Sequence, residues 1–386
     1  PYYESKPYSP AEFAEKTAWI GRQLDQMAAD IVGFQEVFHR DALEAALAQS
    51  ARFREVEPII LAANEDENPA MTPAVALASR YPVLEAQSIS AFPPEAIITL
   101  EPVNTPPPSP PSTGTGGGVL STRSASSPST GSGGTSSGGE RVPEPVEGQL
   151  IVPVASFSRP VLKVRVQMSE EIEIVFFVAH LKSKRPTYYE GESAENPLHR
   201  TLGSARSLVR RASEAAALRA LLLVEVTSPS TGSGGAGSGD MVGELVEPST
   251  GSGGAGSGGG VVVLGDVNDA TLAVTTQMIA GEKPYYRYGR ERKERYWDTL
   301  LYSAQEIQNR ASTRDTYFTY IYNGFYEALD QILVSEELYR LNPDRVAEVY
   351  YVQIFNDHII DATQTFEPAP RTKSDHGQVV AWLRKA

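Results

Sequence analysis

Two tracts that cannot build a core limit how this chain folds. Residues 102–148 and 227–260 are dominated by Gly, Ser, Thr and Pro, and the heptad PSTGSGG recurs in them at Pro128, Pro229 and Pro248. Near-copies of a second phrase, PEPVEG before Gln149 and GELVEP before Ser249, stand beside it. The repetition is compositional. No unit carries an apolar face, so the units cannot stack as a solenoid or bury enough surface to offset chain entropy. They are expected to be flexible linkers. Whatever folds is then assembled from the segments around them, and a single catalytic domain over 1–386 with insertions at 102–148 and 227–260 is the expected organisation.

The 386 residues are 41% hydrophobic, enough for one large core or two modest ones. There is no cysteine, which excludes a disulfide scaffold, a thiolate zinc site and a cysteine nucleophile. No apolar run reaches the length of a membrane span, no secretory signal is visible, and a soluble chain is expected. The opening PYYESKPYSP reads as mid-domain sequence, so an upstream segment is expected. Net charge is −14; the two tracts hold −1 and −3 of it, leaving −10 in the foldable part. A non-specific DNA coat would be basic. An enzyme that meets phosphates through a bound cation need not be.

The remaining segments alternate helical and strand patterns. Ser9, Pro10 and Glu12 form a capping box with proline at the first helical position, and Phe13, Thr17, Ile20, Leu24 and Met27 follow at helical spacing, which predicts a helix over 10–28. DIVGFQEV and AVALASR read as strands, the second stopped by Tyr81-Pro82. PVLKVRVQ and IEIVFFVAH, joined by MSEE, read as a hairpin. Residues 204–226 are strong helix formers. VVVLGD, TYFTYIY, LDQILVS and GQVVAWL are further strands. This mixture predicts a layered α/β or α+β domain.

Glycine-rich loops that hold phosphate lie after a strand and before a helix. Here the glycines precede VVVLGD, and no Gly-Lys-Ser/Thr triplet exists. The return loop from a helix enters a strand at its N-terminal end, whereas ligands on open α/β sheets sit at the carboxyl ends. The informative end is therefore Gly265-Asp266-Val267-Asn268, where a carboxylate and an amide stand two residues apart. An Asp/Asn turn is the plain alternative. Other strand ends carry similar groups: Glu36 closes DIVGFQE, His180 closes IEIVFFVAH, Asp330 opens DQILVS, and Asp375-His376 precede GQVVAWL. Each alone reads as solvated or structural. Together they are the kit that phosphoryl hydrolysis needs: a carboxylate for a divalent ion, a base for water, and donors on the phosphoryl group. Asp330 is placed to fix the tautomer of His376.

The ordered motifs GFQEV, ALASRYPV, FVAHLKSKRP, VVVLGDVNDA, YEALDQILVS and TKSDHGQVV, from Ile31 to Val380, resemble the endonuclease/exonuclease/phosphatase family. The resemblance implies a four-layer α/β sandwich, two packed mixed β-sheets flanked by helices. It implies that Glu36 holds a catalytic Mg²⁺ (Mn²⁺ as substitute), with Asp375 beside the metal or the water. Asp266 would deprotonate the attacking water, Asn268 would contact the phosphate, His180 and His376 would donate to it, and Asp330 would orient His376. Reaction would be in-line displacement at phosphorus without a covalent enzyme intermediate. Family members begin with a strand ending in a metal-binding asparagine, and no apolar strand precedes Ser9 here. An upstream strand is therefore expected to be absent from this sequence, and a complete sheet without it would contradict that.

Arg159, at the start of the MSEE hairpin, lies at the same end as His180 and is a candidate phosphate contact. His358 in NDHII is secondary to His376, His39 and His199 are expected to be structural or solvated, and Tyr317, Tyr320 and Tyr322 are expected to pack. The expected function is a Mg²⁺-dependent phosphodiesterase, an endonuclease or exonuclease acting on nucleic acid or another phosphate ester, with no protein partner. The alternatives are a phosphatase or sphingomyelinase-type phospholipase on the same fold, and a non-catalytic scaffold.

Overall fold

A computed structural model describes residues 7–60, 73–98, 154–227, 259–284, 287–312, 317–365 and 370–386. Residues 1–97 and 154–386 form one compact unit; the other, 98–153, lies outside the described residues except for Ile98. The expected linkers likewise lie outside them over 102–148 and 228–258.

In chain order the elements are α1 (Pro10–Met27), β1 (Ile31–Val37), α2 (Arg40–Leu47), β2 (Ala74–Ser79), β3 (Val83–Ala91), β4 (Ser156–Gln167) and β5 (Glu173–Val178). Then come α3 (Pro197–Thr227), β6 (Gly259–Asp266), α4 (Val274–Ala280), α5 (Arg290–Trp297), β7 (Leu301–Ser303) and α6 (Ala304–Ala311). The chain ends with β8 (Tyr320–Tyr322), β9 (Phe325–Glu327), β10 (Asp330–Ser335), β11 (Ala347–Phe355), α7 (Ala362–Thr365) and β12 (Gln378–Lys385). The capping box forms as the sequence predicts: Glu12 N–H donates to the Ser9 hydroxyl, and the Ser9 N–H donates to the Glu12 carboxylate. No helix among the described residues is long and apolar enough to cross a membrane.

A six-stranded mixed sheet, ordered β3-β4-β5-β6-β10-β7, is the centre. Only β5 and β6 run parallel; the other neighbours are antiparallel. Strand periodicity divides its side chains between two faces. Val175, Phe177, Val261 and Val263 pack under Ala215, Leu218 and Leu222 of α3 and Ile279 of α4. Ile174, Phe176, Val178 and Val262 pack against Val75 and Leu77 of β2 and Val349 and Val352 of β11. The outer side of that second β layer, with Ala76, Ala78 and Val380, buries Leu24 and Met27 of α1 and Leu43 and Leu47 of α2. The stack is the four-layer α/β sandwich.

The second β layer differs in detail from one mixed sheet. Among the described residues it is two antiparallel pairs, β1-β2 and β11-β12, with no ladder joining them.

The second insertion is shorter than its composition suggests. Thr227 is the last residue of α3, and Gly259 and Gly260 are already strand, pairing with Glu173 and Ile174 of β5. A Cβ on Gly260 would meet Leu338 Cγ at 2.9 Å, so a side chain is excluded by packing. At the other end of β6, Gly265 has φ 137°, and a Cβ there would lie 2.0 Å from the Ala179 carbonyl oxygen. That close approach lets Ala179 N–H donate to the Leu264 carbonyl and Leu181 N–H to that of Asp266, both at 3.1 Å. Gly265→Ala is expected to force β5 and β6 apart where the polar residues begin, at a stability loss of about 3 kcal/mol or more. Urea unfolding measures the loss; a change below about 0.5 kcal/mol would show that the close approach is unimportant.

Candidate active site

Asp266 ends β6 and is 7% exposed. Its Oδ1 accepts the Asn268 N–H at 2.7 Å and its Oδ2 the Asn268 side-chain amide at 3.1 Å, a turn that Asn268 enters with φ 55°. The same amide nitrogen also donates to the Leu181 carbonyl at 3.0 Å, tying this turn to the segment after β5. His180, in that segment, is buried and has Nε2 3.5 Å from Asp266 Oδ2.

The β6–β10 ladder places Asp330 directly opposite Asp266. Thr319 holds this end of β10, its hydroxyl accepting the N–H groups of Leu329 and Asp330 at 2.9 and 3.2 Å. Asp330 Oδ2 lies 2.8 Å from His376 Nδ1, whose ring packs 4.6 Å from that of Tyr320. His376 N–H donates to the Ser374 hydroxyl at 3.0 Å. His358 stands behind His376: its Nε2 donates to the His376 carbonyl at 3.0 Å and its ring lies against Trp19.

Burial pushes Asp266 up, the Asp330 charge adds to it, and the group reaches about 7 despite His376 and the Asn268 N–H. Burial pulls His376 down, but the charge and hydrogen bond of Asp330, with Asp266 and Asp375 behind it, outweigh that and raise it to about 10. It is an imidazolium at neutral pH. Burial, and then Arg159, hold His180 well below the usual histidine range, so that ring is neutral. The two histidines therefore differ in charge because His376 is hydrogen-bonded to Asp330 at 2.8 Å, whereas burial and the charges of Arg159 and His376 act on His180.

Arg159, near the start of β4, points its guanidinium at the His180 and Leu181 carbonyls, with Nη1 3.5 and 3.3 Å away. Its Nε and the Nδ1 of His180 are buried without a hydrogen-bond partner among the described residues. Buried polar atoms without a partner are costly unless a ligand meets them.

Glu36 sits at a bulge in β1 with φ 56°. The residue is exposed, yet the cleft walls strip water from its carboxyl, and Asp375 repels it; both raise it, against Arg159 and His376. Ligand atoms of Asp266, Asp330 and His376 also lie within 4.8 Å of one another, a spacing that could hold a metal ion. That trio already contains a cation, since His376 is protonated and bound to Asp330. Glu36 and Asp375, whose charges repel, also bring hard carboxylate oxygens of the kind that suits Mg²⁺ or Mn²⁺.

The sequence-predicted residues thus meet at one end of the central sheet. His180 and Asn268 each contact Asp266, Asp266 stands opposite Asp330, and Asp330 holds His376; Arg159 abuts the His180 segment, and the charges of Asp375, Arg159 and His376 act on Glu36. His39 stands exposed at the start of α2 without a side-chain capping bond, and His199 accepts the Ser193 N–H near the start of α3. The tyrosines do not all pack as expected: Tyr320 lies on His376, but Tyr317 is 74% exposed and Tyr322 is also exposed, because β8 is only three residues long and turns into an open hairpin with β9. Sequence reading missed the set behind the site, the buried Arg211, Glu214 and Asp269 with the half-buried Ser158, and the backbone of Lys182. Only Lys182 and Asp269 fall inside quoted motifs, HLKS and GDVND.

The model of the endonuclease/exonuclease/phosphatase family matches residues 13–376. No curated protein matches. Solved structures similar to this chain include a humanized D. rerio TDP2, at 11% identity and TM-score 0.47, covering 98% of this chain and 94% of that one. The mannosyl-6-phosphatase Bt3783 of Bacteroides thetaiotaomicron is similar at 12% identity and TM-score 0.44, covering 96% and 91%. ANGEL2, a 2′,3′-cyclic phosphatase, is similar at 11% identity and TM-score 0.38, covering 83% and 73%. With the family model spanning nearly the whole sequence and the strand-end residues gathered in one cleft, the chain belongs to the endonuclease/exonuclease/phosphatase family of phosphate-ester hydrolases.

Proposed function

We propose that this chain is a Mg²⁺-dependent phosphodiesterase of the nuclease type. The observation that carries the hydrolytic half of this reading is the pairing of orphaned buried nitrogens, Arg159 Nε and His180 Nδ1, with the Asp266 carboxylate across the same cleft. An anion would satisfy the nitrogens, and a carboxylate near pKa 7 is suited to take a proton from water.

In this reading a water oxygen bonds to phosphorus as the opposite P–O ester bond breaks. Asp266 accepts the water's proton. Arg159, neutral His180 and cationic His376 donate to the non-bridging oxygens, where charge grows in the transition state, while Asn268, whose two amide hydrogens go to Leu181 and Asp266, holds the Asp266 carboxylate in place. Asp330 keeps His376 charged and fixes its ring. Glu36 and Asp375 would hold the divalent ion, which when bound supplies positive charge against the phosphoryl and leaving oxygens and lowers neighbouring pKa values. The departing ester oxygen takes up a proton from solvent, and Asp266 returns to solvent the proton it took from the water, which completes hydrolysis.

The nuclease half rests on the β8–β9 hairpin. Phe325 is 70% exposed, and Tyr317, Tyr322 and Tyr326 are exposed beside it, one strand away from the His376–Tyr320 pair. Exposed aromatic faces next to a phosphate-cleaving centre suit the stacking of nucleobases. The −14 charge favours a second reading, a phosphatase or phospholipase for a smaller ester.

A hydrolysis panel separates them: single- and double-stranded DNA, RNA, sphingomyelin, an inositol phosphate, a bis-aryl phosphodiester and an aryl phosphomonoester, each with Mg²⁺ and with chelator. Chelator-sensitive cleavage of nucleic acid is expected; turnover of the monoester or lipid alone would replace the nuclease reading. Asp266→Ala should lose at least about a thousandfold in kcat while the far-ultraviolet circular dichroism stays native, and full turnover in that variant would defeat the mechanism.

Ionised Asp266 is needed, so kcat should rise as pH passes about 7; charged His376 is needed, so it should fall as pH passes about 10. Asp330→Asn removes the main anion that raises His376, leaving burial to lower it. The alkaline limb should then move down, and a pH–rate profile with that limb unmoved would exclude His376 as its source.

Phe325→Ala combined with Tyr317→Ala should raise KM for a single-stranded oligonucleotide roughly 5- to 150-fold, the equivalent of about 1–3 kcal/mol of stacking. The bis-aryl phosphodiester should be turned over as before. Unchanged oligonucleotide KM would remove the hairpin from substrate binding.

A further inference from the structure

Glu214 and Arg211 are charged residues of α3 that the chemistry above does not use, and they are only 1% and 4% exposed. Three residues apart on a helix, they present to the same neighbouring surface. That surface is the back of the active site. Glu214 Oε2 accepts the Lys182 N–H at 2.7 Å. Its Oε1 accepts the Ser158 N–H at 2.8 Å, together with the Ser158 hydroxyl and Arg210 Nε. Arg211 Nε donates to Asp269 Oδ2 at 3.0 Å, and its Nη1 donates to the Lys182 carbonyl at 3.3 Å. Asp269 is buried as well and also accepts from the Thr275 hydroxyl.

The gripped residues are adjacent in sequence to the donors of the cleft. Ser158 precedes Arg159, Lys182 is two residues beyond His180, and Asp269 follows Asn268. They lie on three neighbouring strands' ends, at the start of β4 and just beyond β5 and β6. Two helical side chains thus hold both faces of the Lys182 peptide and one point on each flanking segment. Burying a carboxylate and a guanidinium is costly, and an apolar pair would pack the same space at less cost. Apolar side chains have no direction, however; these hydrogen bonds fix three backbone segments against one rigid helix.

We propose that Glu214 and Arg211 are positioning residues that set Arg159, His180 and, through Asn268, Asp266 at the spacing needed by one phosphoryl group. The proposal rests on the reading that Arg159, His180 and Asp266 face a phosphate and its attacking water. Neither Glu214 nor Arg211 touches substrate; each acts through the backbone it holds.

Glu214→Gln is the sharpest test. A glutamine keeps the volume but must turn its NH₂ towards one set of donors. The side facing Lys182 has one N–H and the side facing Ser158 and Arg210 has three donors, so the NH₂ meets Lys182 and pushes the His180 segment away. A displacement near 1 Å at a reacting group costs up to about a hundredfold in rate. With the bis-aryl phosphodiester and Mg²⁺, kcat per folded molecule should fall roughly 10- to 100-fold. KM should change less than about threefold and both pH limbs should stay, since no titrating catalytic group is removed. Arg211→Lys keeps the charge but reaches only one of its two acceptors, and should show the same split more weakly; it carries the test if the glutamine variant does not fold. Restoration of kcat in Glu214→Asp relative to Glu214→Gln, by returning two acceptor oxygens, would support a positioning role. Unchanged kcat in folded Glu214→Gln, or a fall that matches the unfolded fraction measured by circular dichroism, would overturn it. Wild-type protein inert towards every phosphodiester would instead refute the underlying reading.

Discussion

Two carboxylates held opposite one another across β6 and β10 are the constraint around which the cleft is organised. The antiparallel register fixes Asp266 against Asp330, and neither can move away without breaking the ladder. In a buried setting their repulsion is large, and the molecule answers it unequally. Asp330 is paired with His376 at 2.8 Å, while Asp266 is buried among hydrogen-bond donors and pushed up to about 7. One register thus yields an ion pair and a group poised to exchange protons. The separation of roles follows from which carboxylate the SDH loop reaches, since the two strands supply the same side chain.

The close approach of β5 and β6 extends this organisation. Without a side chain at Gly265, the strand ends touch, and His180 is brought beside Asp266 in the same step. A histidine so buried, with Arg159 near it, is neutral; the histidine facing Asp330 is charged. Two imidazoles with opposite protonation can serve one phosphoryl group in different ways, one as a neutral donor and one as a counter-charge. This division depends on packing, and it is invisible in the residue types alone.

Much of the site was legible because a polar residue closing an apolar run has few structural excuses. Asp266 and Asp330 end and begin strands, and His180 lies two residues beyond one, so their place at one end of the sheet could be read from the pattern. Arg211 and Glu214 could not. In sequence they sit in RRASE, where charged residues three and four apart look like a solvated helix face; only the sheet beneath α3 reveals that they are buried. β3 was missed because its first residues are exposed and mix Glu, Ala, Gln and Ser without a clear alternation, being held only as a sheet edge by β4. β11 carried the β-branched and aromatic signal in AEVYYVQIF, but its strand is defined by pairing with β12 at the far end of the chain. Gly259 and Gly260 share the composition of the tract before them, and only their partners on β5 make them strand.

The chain's acidity has a physical resolution at this cleft. A phosphate approaching a protein of net charge −14 is opposed at long range, but salt screens exposed charges beyond about 8–10 Å. At short range the strand ends present a different composition: the Arg159 guanidinium, the His376 cation and the His180 ring. Hydrogen bonds to carbonyls and carboxylates preset the positions of Arg159 and His376. Of the carboxylates that offset this local positive charge, Asp330 is matched to His376, and in the function proposed above Glu36 and Asp375 are matched to a divalent ion. Net charge therefore says little about what such a site binds. The decisive quantity is which charges remain unpaired once the fold has made its internal matches.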